Sequence, residues 1–192
     1  MKARSLAPQR RSSDPRQLAA SLKLCETVDQ VVRLLEESGE CVNHIHVACA
    51  LVTISKMRDK YVTQENRCVL DRWVLRVSRA MGARQVANTA NALTKTRGVG
   101  PSPNTWRTLE AAVARVAGDM NAQGVANTAN ACAKCGHEAS PNTWRTLEAA
   151  VARVAGDMNA QEVANTANAF TKCGHEVSPN TWRTRCCRSS GW

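Results

Sequence analysis

SPNTWRTLEAAVARVAGDMNAQ, residues 102–123, recurs letter for letter at residues 140–161, 38 positions further on. The residues after each copy are nearly shared too: GVANTANACAKCGHE at 124–138 and EVANTANAFTKCGHE at 162–176. A weaker copy, QVANTANALTK, occupies 85–95, and stepping back 39 positions from Val86 reaches Val47 in HVACALVTISK. Lys56, Lys95, Lys134 and Lys172 then coincide. So do Val31, Leu70, Leu109 and Leu147, and likewise Leu35, Val74, Val113 and Val151. The chain therefore holds four repeats, at about 27–62, 63–101, 102–139 and 140–177, and a fifth begins at SPNTWRT, residues 178–184.

Each repeat reads as two helices. Ser140 before Pro141 supplies an N-cap followed by proline at the first helical position. Trp106, Leu109, Val113, Val116 and Met120 form an apolar stripe at helical spacing. Gly118 and Gly156 are expected to end this first helix in a left-handed cap. The second helix is expected to start from Asn43, Gly82, Asn121 and Asn159, with Glu162 completing a capping box in the fourth repeat and Gly136 and Gly174 ending the helix. A period of 38–39 residues with two helices per unit predicts an all-α fold without a sheet, a right-handed helical-repeat solenoid over residues 24–183. Residues 1–23 read as a basic, disordered arm or targeting segment, and 184–192 as an irregular tail. Trp106 and Trp144 are expected to be buried between helices.

The composition agrees with helices packed through small residues. Apolar residues make up 43% of the chain but aromatics only 4%, which excludes an ordinary β-sandwich. The longest uncharged stretch, CVNHIHVACALVTIS at 41–55, is interrupted by Asn43, His44 and His46, so no membrane span is expected. Nine cysteines, an odd number without a signal-peptide core, do not form a secreted framework; with Cys49, Cys132 and Cys173 on the apolar side of helical patterns, most read as small core residues of a reducing compartment. The net charge of +10 is uneven. Residues 1–23 carry six basic residues and one acid, residues 63–101 seven basic and two acidic, and residues 178–192 three arginines and no acid. Such a balance points towards a polyanionic partner, and a basic surface without one is the alternative.

The unit SPNTWRTLEAAVARVAGDMNAQEVANTANAFTKCG, residues 140–174, resembles the 38-residue octotricopeptide repeat of algal and other protist organelle proteins. Related helical repeats occur in the FAST-kinase-like mitochondrial RNA proteins. The resemblance covers residues 27–183, strongly in the last two full repeats and weakly in the first. It implies an α-solenoid that binds single-stranded RNA in a mitochondrion or chloroplast and acts in RNA stability, processing or translation, with the cytoplasm as the alternative location. One departure stands out. The family's second-helix tryptophan falls on Asn91, Asn130 and Asn168, which predicts looser packing or a polar row in need of partners.

Two sets of residues are candidates for contact with RNA. Arg76, Arg115 and Arg153 share one position on the polar side of the first helix, and Arg107, Arg145 and Arg183 share another. Stacked repeats turn these positions into columns of guanidinium groups that fit a phosphodiester chain. The alternative is a solvated face, with Arg107 paired to Glu110 three residues on. The second set is Asn91, Asn130 and Asn168 with Lys95, Lys134 and Lys172, joined by Asn88, Asn127 and Asn165. Amides can read base edges and lysine can meet phosphate, whereas an inter-repeat hydrogen-bond ladder is the structural alternative, favoured for Asn88, Asn127 and Asn165. The run CAKC at 132–135 with His137 has too few ligands in place for a structural zinc. No catalytic constellation, cofactor motif or metal site is evident. The chain reads as a non-enzymatic binding protein with RNA as partner; a protein–protein scaffold of the same architecture is the alternative.

Overall fold

The structure, a computed structural model, describes residues 15–179 and residue 181. It is all-α apart from one two-residue pairing among the described residues. The helices are α1 (Pro15–Leu24), α2 (Val28–Ser38), α3 (His44–Lys56), α4 (Gln64–Val77), α5 (Ala83–Leu93), α6 (Pro103–Val116), α7 (Ala122–Lys134), α8 (Pro141–Val154) and α9 (Ala160–Lys172). Each packs on the helix two along. The first helices of the repeats, α2, α4, α6 and α8, form one row, and α1, α3, α5, α7 and α9 form a second. Second helices also lie against the first helix of the following repeat, as α5 does on α6 and α7 on α8.

The register read from the repeats is the register of the core. Val31, Leu70, Leu109 and Leu147 are buried, as are Leu35, Val74, Val113 and Val151. In the second row, small buried side chains such as Ala87, Ala90, Ala126 and Ala129 let neighbouring helices approach closely. The cap signals hold as well. The side chains of Ser102 and Ser140 accept from the third amide of their helices, with proline at the first helical position. Asn43, Asn121 and Asn159 cap second helices through their side chains, Gly82 does so without one, and Asn159 and Glu162 form the capping box. Gly136 and Gly174, at φ 67° and 63°, turn the chain away after α7 and α9.

Three expectations are corrected. Gly118 and Gly156 are not left-handed caps: the first helices tighten into a 3-10 turn at Ala117–Asp119 and Ala155–Asp157, then run extended into a buried methionine. The equivalent turn at Ser78–Ala80 carries Arg79 at this position, so glycine is not required there. A sheet, which was not expected, exists in minimal form. β1 (Tyr61–Val62) pairs in parallel with β2 (Arg97–Gly98), and a side chain on Gly98, at φ 84°, would lie 2.4 Å from the Val62 carbonyl oxygen. Finally, the segment assigned to a disordered arm contains α1. Leu18 and Leu22 are buried, the Cys49 thiol donates to the Ala19 carbonyl at 3.7 Å, and the His46 ring nitrogen lies 2.8 Å from the Pro15 carbonyl oxygen. Basic charge hid an apolar pair at helical spacing. Residues 1–14, and the tail at 184–192, lie outside the described residues.

Trp106 and Trp144 are buried, at 3% and 4% exposure. The second repeat places Arg67 at the equivalent position, with its side chain only 2% exposed. Its Nε donates to the Val99 carbonyl at 2.9 Å and its Nη2 to Thr96 Oγ1 at 3.0 Å, while Asp71 lies 3.8 Å away. Burial pulls this guanidinium below its ordinary value, with Asp71 opposing. Trp106 Nε1–H is buried without an acceptor among the described residues. Trp106→Ala should therefore cost about 3–5 kcal/mol in urea unfolding. Trp106→Phe should cost less, because it also removes an unsatisfied donor. A loss below about 1 kcal/mol for the alanine variant would contradict the packing role.

Candidate functional site

The arginine column is partly committed to the fold. Arg115 Nη2 donates to the carbonyls of Ser78 at 3.1 Å and Met81 at 2.8 Å, in the turn that ends the preceding repeat's first helix. Arg153 Nη2 does the same to Ala117 at 3.1 Å and to Met120. The Ser78 and Ala117 carbonyls also accept from the Met81 and Met120 N–H in the 3-10 turns, and a cation there opposes the negative helix terminus. All three arginines are exposed, but Arg76 differs in its partner: it lies 5.1 Å from the Trp73 ring centroid on its own helix. Arg107 and Arg145 are exposed, and Arg145 and Arg153 line one shallow groove between α6 and α8. Arg183 lies outside the described residues.

Arg107 does not pair with Glu110. That carboxylate instead crosses to the next repeat, where it accepts from the Ser140 backbone N–H at 2.9 Å and Thr143 Oγ1–H at 2.6 Å, and meets His137 Nε2 at 2.8 Å. Glu148 repeats the arrangement with Ser178 N–H at 2.7 Å, Thr181 Oγ1–H at 2.8 Å and His175 Nε2 at 2.8 Å. Asp71 makes the corresponding bond to Ser102 N–H at 2.8 Å. Burial pushes the Glu110 carboxyl up, but the hydrogen bonds from Thr143, Ser140 and His137 outweigh it and hold the group below its ordinary value. For Glu148 burial is likewise outweighed, by Ser178, His175 and Thr181.

The asparagines and lysines behave otherwise. Asn88 and Asn91 on α5, Asn127 and Asn130 on α7, and Asn165 on α9 are half-buried, while Asn168 is exposed. None of these six side chains makes a hydrogen bond to another described residue, so the expected ladder does not form. Lys95, Lys134 and Lys172 are exposed beside them. Each sits at or just beyond its helix's C-terminus, a favourable place for a cation in any case. The residues singled out in the sequence thus divide between two places: arginines on the row of first helices, amides and lysines on the row of second helices.

The CAKC run is tied up internally. Cys132 is buried, and burial pushes its thiol far above the ordinary range. Cys135 Sγ–H lies within reach of the Cys132 and His137 carbonyls, and the His137 ring is turned to Glu110. Among the described residues no three His, Cys, Asp or Glu side chains converge as metal ligands, and no helix is long and apolar enough to cross a membrane. Sequence reasoning missed the Glu110 and Glu148 ties and the Arg67 pocket. The repeated GHE at 136–138 and 174–176, at a fixed distance from a glutamate and an SPNT start, was the signal for the ties.

Comparison with protein-family models finds no match, and comparison with curated proteins finds no significant one.

The ties set an acid limit to stability. A carboxyl whose folded value is depressed stabilises the fold above its unfolded value, and that contribution is lost as pH falls through the folded value. Glu110 and Glu148 both lie on this side of their reference value of 4.5. Wild type should therefore lose urea stability between about pH 5 and pH 3. Glu110→Gln combined with Glu148→Gln should cost about 1–3 kcal/mol per site at pH 7 and flatten that loss. Parallel curves for the two proteins across this range would remove the carboxylates as its source.

Proposed function

We propose that the protein binds single-stranded RNA along the row of second helices, as a right-handed α-solenoid in which successive repeats each meet a nucleotide. The observation that carries this reading is the set of six asparagine amides on α5, α7 and α9 that have no hydrogen-bond partner among the described residues, repeated beside Lys95, Lys134 and Lys172. Half-buried amides that do not hold the fold together retain their donors and acceptors for a ligand, and base edges are ligands that use both. The lysines supply charge for phosphates, and the net charge of +10 raises the local concentration of a polyanion. The arginine columns are secondary in this reading, because Arg115 and Arg153 already hold carbonyls of the preceding repeat. The resemblance of residues 140–174 to octotricopeptide repeats supports an organellar setting and a part in RNA stability, processing or translation.

The test is binding of the full chain to a randomised single-stranded RNA pool over a range of salt. Changing Lys95, Lys134 and Lys172 together to glutamine should flatten the slope of log affinity against log salt by about 2, since each single-strand phosphate contact contributes about 0.7. Glutamine at Lys2, Arg4, Arg10 and Arg11 in the same background separates the N-terminal charges, and α1 stays in place. Weak, salt-insensitive binding by wild type would exclude the RNA reading and favour a protein–protein scaffold.

A further inference from the structure

The third position of the second helices differs in every repeat, while the valine that follows it is constant. Third in each helix stand His46, Gln85, Gly124 and Glu162. His46 and Glu162 fold back on their N-caps, accepting from Asn43 N–H at 3.1 Å and Asn159 N–H at 2.9 Å. Gln85 Oε1 lies 3.2 Å from where a side chain on Gly82 would begin. Only the third repeat has no side chain to occupy this place. There a groove of about 460 Å³ opens between α5 and α7, lined by Arg84, Asn88, Asp119, Gln123, Gly124 and Asn127. A side chain at Gly124 would start in the groove's floor, 3.1 Å from Asn121 Oδ1 and 3.7 Å from Ala87 Cβ on α5.

We infer that this groove is a slot for one unstacked nucleobase, the position of strongest base contact along the array; the inference rests on the RNA reading above. The charges select the class of ligand. Arg84 on one wall and Asp119 on the other leave the groove near neutrality, which disfavours a phosphate and suits an uncharged ring. Arg84 makes no ion pair or hydrogen bond with a described residue, so its planar guanidinium is available to stack on a heteroaromatic face. Asn88 and Asn127, on opposite walls and also without a side-chain partner among the described residues, present adjacent donors and acceptors to the ring's edge. Glycine in the first turn of α7 forgoes both the capping-box bond and helix propensity. The fourth repeat demonstrates that a long side chain fits this place, since residues 140–161 are identical to 102–123 and are followed by Glu162.

The experiment uses Gly124→Gln and Gly124→Glu in the full chain, with single-stranded oligo(A), oligo(C) and oligo(U) and with adenosine monophosphate as probes. Both variants should fold with an unchanged or higher melting temperature. Each should bind its preferred oligonucleotide about 10-fold more weakly, the loss of roughly one stacked base, while keeping the wild-type salt slope because the lysines remain. Adenosine monophosphate should shift the Gly124 backbone and Asn127 side-chain amide resonances of wild type and not those of Gly124→Gln. Wild-type affinity in the glutamine variant would overturn the slot and leave the RNA reading standing. Absence of any RNA affinity in wild type would overturn both. A loss confined to Gly124→Glu would assign the effect to charge and overturn the slot as a steric feature.

Discussion

A carboxylate reaching from one first helix to the start of the next holds the repeats in order. Glu110 and Glu148 each collect a backbone N–H, a threonine hydroxyl and an imidazole from the junction that follows. Apolar burial alone would let α6 and α8 slide or rotate against each other, because it lacks direction. Three directed bonds to one partly buried carboxylate fix both the depth and the angle of the next helix. Arg115 and Arg153 act from the opposite end of the same helices, gripping the turn behind them. Each first helix of the third and fourth repeats is thereby linked backwards by an arginine, and forwards by a glutamate.

The first two repeats, whose sequences differ from the last two, reach the same spacing with different chemistry. Where the third repeat has Trp106 and His137, the second has Arg67 and Gly98. Arg67 satisfies the loop carbonyl and Thr96 directly, while Asp71 keeps the bond to Ser102. Gly98, without a side chain, lets the loop approach closely enough to pair with Tyr61–Val62. Between α2 and α4 the link changes again: Glu36 accepts from Trp73 Nε1 at 3.0 Å and from Arg72 at 2.6 Å, and Asn66 donates to Asp29 at 2.7 Å. The geometry of the junction is kept although the residues that enforce it are not.

This explains what could be read from the sequence. Apolar positions such as Leu109 and Val113 recur because every repeat must bury them, and caps such as Ser140 and Asn159 act within a few residues of themselves. Both are local or periodic, so a linear text exposes them. The ties are neither: Glu110 and Ser140 are 30 positions apart, and nothing in spacing alone says that one reaches the other. Arg115 shows the same limit, since a polar column looks alike whether it only faces solvent or also grips a neighbour's carbonyls. The asparagine row went the other way. For Asn88, Asn127 and Asn165 a ladder is the more economical reading, yet their side chains make no hydrogen bond to another described residue. The α1 helix was lost because only its charge was weighed, although Leu18 and Leu22 stand four apart.

The duplicated segment has a consequence for how the chain finds its fold. α6 and α8 are identical in sequence, so each fits the slot of the other, in the same molecule or in a second one. A nascent chain can therefore dock α8 against α4 and loop out a whole repeat, and the entropy of closing such a loop grows only slowly with its length. What separates the correct register from the slipped one is the buried surface of one complete junction, together with the four places where the copies differ: Gly124 against Glu162, Cys132 against Phe170, Ala133 against Thr171 and Ala139 against Val177. Two chains that exchange these segments lose no junction at all. Near-perfect internal repetition thus favours exchange of these helices between partly unfolded molecules, and the small differences between the copies act as the chain's address labels.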